Sequence, residues 1–170
     1  PYCWRFRVRD SMMAFDDKVL GQQNCRPAKQ LGDFPVTTKA GSFAYQLAVV
    51  IDDMEQCVDF VVRGNDLVAS TFRQIELYEA LGLPAPRYAH VPLVRGPDGK
   101  RLAKRHGDTR LNHYRENGIS LERIVGWAAK SAGLIDFESD CPAKELIQAF
   151  DWKKLNREDT FIDPERAFPA

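Results

Sequence analysis

No CxxC pair occurs in this chain, and its four cysteines, Cys3, Cys25, Cys57 and Cys141, are scattered. A self-contained zinc site lacks its usual ligand spacing here, and a disulfide framework is not expected, so reduced thiols are the plain reading. No apolar run reaches the ~18–20 residues that a membrane span requires. The opening, PYCWRFRVRD, has arginines where a secretory signal would carry its apolar core. With 24 basic and 24 acidic side chains the net charge is zero. A bulk field that draws the chain to nucleic acid is therefore excluded, and only local patches can act that way. Internal repeats and low-complexity segments are also absent.

What is present is an ordinary globular composition, 44% hydrophobic and 28% charged over 170 residues, enough for one domain or one and a half small ones. Trp4, Phe6 and Val8 alternate with Arg5, Arg7 and Arg9, the period of a half-buried strand. A chain that opens in mid-strand is expected to be part of a longer protein. Short strands and loops follow as far as residue 40. FAYQLAVVI, residues 43–51, is a continuous apolar run that predicts a strand buried on both faces. A second strand is predicted over 58–62, ending at Arg63, Gly64, Asn65 and Asp66. Ser70 then suits an N-cap for a helix with Phe72, Ile75, Tyr78 and Leu81 on one stripe, and Gly82 and Pro84 stop it. A third strand is expected over 88–95, closed by a turn at Gly96, Pro97, Asp98 and Gly99. Strands and a helix in this order are α/β texture.

The remainder reads as helical. One short helix ends near Gly118. Ser120 caps another, with Leu121, Ile124, Val125 and Ala128 as its buried face, up to Gly133. Pro142 opens a third, with Leu146, Ile147 and Phe150 inward. Residues 135–170 hold nine acids against five bases, which argues against this tail being a nucleic-acid grip.

The stretch GKRLAKRHGDTRL, residues 99–111, concentrates five Lys and Arg side chains after a predicted strand end. Ligands of open α/β sheets bind beyond such ends, and Lys100, Arg101, Lys104 and Arg105 suit phosphate oxygens. The segment following Arg63 leaves another strand end and would converge on the same crevice. It is not a Walker loop, because GxxxxGK[ST] is missing. Charge alone fits a solvated turn as well. His106 and His113 remain less informative.

The order of these elements carries a resemblance. AYQLAVVIDD, VVRGNDL, STFRQ, YAHVPL and KRLAKRHG occur in the sequence and spacing of the catalytic domain of class I aminoacyl-tRNA synthetases, nearest the glutamyl branch. The similarity covers residues 43–133 and extends loosely to 150. It implies the C-terminal half of a Rossmann-type α/β catalytic domain followed by a small helical subdomain. The implied boundaries are 1–40 for the end of an acceptor-binding insertion, 41–108 for the catalytic half and 109–170 for the helices.

Residues 101–105, Arg-Leu-Ala-Lys-Arg, stand at the five positions of the family's KMSKS motif. The resemblance implies that Arg101, Leu102, Ala103, Lys104 and Arg105 bind ATP, supplied with Mg²⁺, and that Lys104 stabilises charge on the departing pyrophosphate. Ala103 replaces the usual serine, which removes one hydroxyl donor. Tyr45 and Arg63 fall where the family holds glutamate; a core tyrosine and a surface ion pair with Asp52, Asp53 or Asp66 are the structural readings of the same residues. An arginine fork at a strand end suits a carboxylate by two parallel hydrogen bonds. His90 is expected to be packed or to lie beside adenine.

Two glutamyl enzymes share this core. The ending at residues 145–170 resembles the shortened member, which attaches glutamate to queuosine in tRNA(Asp) and activates glutamate without tRNA. The ordinary enzyme, which charges tRNA(Glu) and needs that tRNA for activation, is the alternative. A non-catalytic RNA- or partner-binding derivative is a reading of another class. The family's HIGH motif, and the zinc-binding cysteines the short enzyme often carries, have no counterpart in this sequence. The chain is thus expected to hold half an active site and to be inactive alone, within a cytoplasmic, monomeric parent.

Overall fold

The computed structural model describes residues 2–100, 102, 110–136 and 139–168. The chain divides into two compact units, residues 1–90 and 91–170.

In the first unit, β1 (Arg5–Phe6) pairs antiparallel with β4 (Phe34–Pro35). Between them lie β2 (Met13–Asp17), β3 (Gly21–Cys25) and the single turn α1 (Pro27–Gln30). After α2 (Tyr45–Glu55) come β5 (Phe60–Gly64), a 3-10 turn (Asn65–Leu67), α3 (Val68–Ala80) and β6 (Arg87–Val91). The central sheet has the order β3-β2-β6-β5. Strands β2 and β3 form an antiparallel hairpin whose tight end is Asp17 opposite Gly21, a glycine at φ 75°, a backbone that a Cβ would strain. Strand β2 runs parallel to β6, with Asp17 opposite Tyr88. The parallel register thus sets the carboxyl end of β2 beside the start of β6, and the site is built on that meeting point.

Two apolar clusters form the core of this unit. Val8, Phe34, Val50, Leu77 and Tyr78 form one, joined by Leu47 and Leu83; Met13, Cys25 and Phe72 form the other, joined by Phe15 and Ile75. Helix α3 contributes to both, with Phe72, Leu77 and Tyr78 buried.

Several sequence expectations are corrected here. Residues 45–55 are helical rather than extended. An uninterrupted apolar run has no period that separates a strand from a buried helix, and eleven residues is helix length. The helix α3 begins at Val68, with Leu67 at its N-cap; Ser70 lies inside the first turn and its Oγ accepts from Gln46 Nε2 at 3.1 Å. Leu81 is exposed, just past the last turn. Trp4 is also exposed, so the opening alternation yields only the two-residue strand β1. The predicted strand over 88–95 is two strands in two sheets, because Pro92 interrupts it.

In the second unit, β7 (Val94–Arg95) pairs parallel with β8 (Thr160–Phe161). Between them lie α4 (Leu111–Glu116), α5 (Leu121–Ser131) and α6 (Ala143–Ala149), and α7 (Pro164–Ala167) follows. Ser120 caps α5 as expected, its Oγ accepting from Arg123 N at 3.1 Å. The buried face of α5 differs in part: Gly126 and Ala129 are buried, whereas Leu121 and Ala128 are exposed. Gly126 lets the backbone of residues 139–140 lie directly against the helix. In α6 the expected inward stripe reduces to the half-buried Leu146, with Ile147 77% exposed and Phe150 42% exposed. Tyr114, Ile162 and Phe168 make the core of this unit.

Candidate functional site

Arg63 stands at the end of β5 and is half-buried. Its guanidinium is held on three sides. Nε donates to His90 Nε2 at 3.2 Å, and Nη2 donates to Thr71 Oγ1 at 2.6 Å and to Gln74 Oε1 at 2.8 Å. The guanidinium carbon also lies 5.5 Å from the centre of the Tyr88 ring, a cation–π distance. Burial pushes the Tyr88 hydroxyl well above its ordinary range, so it stays neutral beside the cation.

Thr71 and Gln74 project from α3 at i and i+3, the spacing that puts two side chains on one helix face. Both are buried, as is the acceptor His90 on β6. The network continues to α2: Gln74 Nε2 donates to Gln46 Oε1 at 3.0 Å, and Gln46 donates on to Ser70. Gln46 is the neighbour of Tyr45, which opens α2 and is 57% exposed. Tyr45 is therefore a surface tyrosine and not a core one.

His90 is 0% exposed. Its Nδ1 lies 2.6 Å from Asp17 Oδ2, and Asp17 Oδ1 also accepts from the Val19 and Leu20 amides at 2.9 Å. The His90 amide donates to the same carboxylate. Of the two places expected for His90, the packed one is what the structure shows. Burial lowers the His90 pKa, outweighing the opposite pull of the Asp17 hydrogen bond, so the ring is neutral. For Asp17, burial alone would raise the pKa, yet bonds from Leu20, His90 and Val19 hold it below the usual carboxylate value. The pair is a carboxylate bonded to a neutral imidazole rather than an ion pair.

This arrangement differs from the fork expected of Arg63. Three of its five N–H donors, those on Nε and Nη2, already bind protein. A carboxylate ligand meets a guanidinium whose plane is fixed, with Nη1 the group not used in these three bonds.

Arg101, Ala103, Lys104 and Arg105 of the basic loop, with His106, lie outside the described residues. Leu102 is described: its amide donates to Val94 O at 3.0 Å, and its side chain packs against the Tyr114, Ile162 and Phe168 cluster. The preceding turn is as expected, with the Gly99 amide donating to Gly96 O at 3.0 Å and Gly99 at φ 72°. Among the described residues no cluster of three or more His, Cys, Asp or Glu side chains could hold a metal ion, and no helix is long and apolar enough to cross a membrane.

Sequence reasoning missed Asp17, Thr71, Gln74 and Gln46. FDD on a short hairpin and a helix with buried Thr and Gln were visible signals, but nothing in the sequence paired them with Arg63.

The model of the catalytic domain of class I tRNA synthetases (E and Q) matches residues 1–164. The chain belongs to that family. A glutamyl-Q tRNA(Asp) synthetase from Rhodopirellula baltica is 51% identical over 96% of this chain and 54% of its own length. A glutamate–tRNA ligase from Nitrosomonas eutropha is 36% identical, over 95% of this chain and 35% of its own length. The crystal structure of a glutamate–tRNA synthetase from Elizabethkingia anophelis superposes with TM-score 0.82 at 28% identity, covering 98% of this chain and 38% of that one. The class I catalytic fold is thereby established, and the chain spans about half the length of the glutamyl-Q tRNA(Asp) synthetases it matches.

Proposed function

We propose that this chain supplies the glutamate-recognising and pyrophosphate-stabilising half of a glutamate-activating site, and that the whole protein transfers the glutamyl group to queuosine of tRNA(Asp). The observation that carries the first part is the Arg63 guanidinium, fixed at a strand end by Thr71, Gln74 and His90. The second part rests on the greater likeness to glutamyl-Q tRNA(Asp) synthetase than to glutamate–tRNA ligase, 51% against 36%.

In this reading a glutamate carboxylate meets Arg63 Nη1 and the Tyr45 hydroxyl. The α-carboxylate oxygen attacks the α-phosphorus of Mg-ATP, the bond to the pyrophosphate oxygen breaks, and glutamyl-adenylate and pyrophosphate result. A hydroxyl of the queuosine ring then attacks the adenylate carbonyl and AMP leaves. Lys104, flanked by Arg101 and Arg105 in an ATP-binding loop that includes Leu102 and Ala103, stabilises the charge that grows on pyrophosphate; such a displacement needs positioning and electrostatics more than covalent help. Leu102 acts as the apolar anchor of the loop. A chain holding only these residues is inactive by itself.

Two substitutions in the full-length protein test this. Arg63→Gln should raise the KM for glutamate roughly 10- to 100-fold, the worth of a hydrogen bond to a charged group, with little change in that for ATP. Lys104→Ala should slow adenylate formation by about 10²–10³, the usual effect of losing one transition-state donor. Unchanged glutamate KM in the first, or an unchanged adenylate rate in the second, sinks the corresponding assignment.

A further inference from the structure

We propose that Asp17 is a positioning residue for glutamate recognition: through His90 it presents a fixed imidazole acceptor to Arg63 and so sets the direction of the guanidinium. The inference rests on the reading of Arg63 as the glutamate-binding arginine, and deepens it.

The argument is one of donors and acceptors. Every group around the Asp17 carboxylate is an N–H. Oδ1 receives the amides of Val19, Leu20 and His90, at 2.9, 2.9 and 3.1 Å. Oδ2 receives the His90 amide at 3.0 Å and faces Nδ1 at 2.6 Å. An oxygen so placed has no proton to give, so Nδ1 must carry one. A neutral ring with its proton on Nδ1 has a lone pair on Nε2. That lone pair faces the Nε–H of Arg63 at 3.2 Å and the Thr71 hydroxyl at 3.0 Å. The Nε bond and the two Nη2 bonds then define the guanidinium plane. With the proton on Nε2 it would oppose the Arg63 Nε–H and Nδ1 would present a lone pair to the Asp17 carboxylate, so Asp17 and Arg63 favour the same tautomer from opposite sides of the ring.

Asp17 belongs to β2 and Arg63 to β5, and the two strands are not neighbours in the sheet. The link crosses β6 by way of one side chain. Distance in sequence, 73 positions from Asp17 to His90, is closed by the parallel β2–β6 pairing, so the strand register is itself part of the specificity device.

Asp17→Asn is the sharpest test. A carboxamide must turn its NH₂ toward some of these N–H groups. If it faces Nδ1, the ring proton moves to Nε2 and collides with Arg63 Nε–H. In the full-length protein the KM for glutamate should rise about tenfold or more, as for one lost hydrogen bond to a charged group, while the KM for ATP holds. Placed on an Arg63→Gln background, Asp17→Asn should add no further loss, because it acts through Arg63. Additive losses in the double variant, or an unchanged glutamate KM in the single one, overturn the inference. If Arg63→Gln itself leaves the glutamate KM unchanged, the underlying reading of the site has failed instead.

Since Asp17→Asn risks the fold, the wild-type protein supplies an independent readout. With ¹⁵N-labelled histidine, the imidazole of His90 should show a protonated Nδ1 and an unprotonated Nε2 at neutral pH. A ring protonated on Nε2 overturns the proposal without any variant.

Discussion

Arg63 is a charged side chain whose surroundings are chosen for direction. Thr71, Gln74 and His90 each offer an acceptor, and only the last depends on a proton's position. That dependence makes the site sensitive to acid. The folded-state pKa of His90 lies below its ordinary value of 6.5 because the ring is buried. The unfolded chain takes up a proton at about 6.5 that the folded chain refuses, so stability is complete above that pH and declines as pH falls beneath it. Asp17, held below 3.8, adds a loss in the same direction at lower pH. Urea midpoints should therefore be level from pH 8 to 7 and fall between about pH 6.5 and 5.5, above the range of ordinary carboxylates. The fall should be shallower in His90→Asn, and a midpoint that rises on acidification would contradict the neutral buried ring. Arg63 and Tyr45 were legible as candidates through motif order. Their supporting residues were not, since Thr71 and Gln74 look like any helix interior and Asp17 like any hairpin end until the sheet brings them together.

Elements were read well where local chemistry ends them. Gly82 and Gly118 adopt φ 68° and 77° just past their helices, the positions where a left-handed residue terminates a turn, and Ser120 binds the amide it was expected to cap. They were read poorly where only an apolar run spoke, as in α2. The expected face of α5 holds in part: Ile124 packs on the Tyr114 cluster, whereas Leu121 and Ala128 are exposed and the fully buried positions are the small Gly126 and Ala129. Gly126 shows why. A Cβ there would lie 1.7 Å from the Ser139 carbonyl oxygen and 2.8 Å from its carbon. Gly126→Ala must push backbone apart, and should cost at least the ~1–3 kcal/mol of ordinary overpacking. Ser120→Ala, which removes only the cap, should cost about 1 kcal/mol. Denaturant midpoints of the two variants test the order; equal or reversed costs would contradict the close approach described for α5.

For the whole molecule, the division at residues 90 and 91 separates the Arg63 network from the turn that carries the basic loop. The mixed sheet with its parallel β2–β6 pair agrees with the α/β expectation, and the family match extends it to the class I catalytic fold. Substrate identity is a matter for solution chemistry. Glutamate-dependent ATP–pyrophosphate exchange by the full-length protein, with no tRNA added, is the measurement that bears on it most directly. Exchange that saturates with glutamate is the predicted result, and it should weaken on Lys104→Ala. Exchange that stays silent until tRNA(Glu) is supplied would contradict the queuosine assignment, and silence under every condition would contradict glutamate activation altogether.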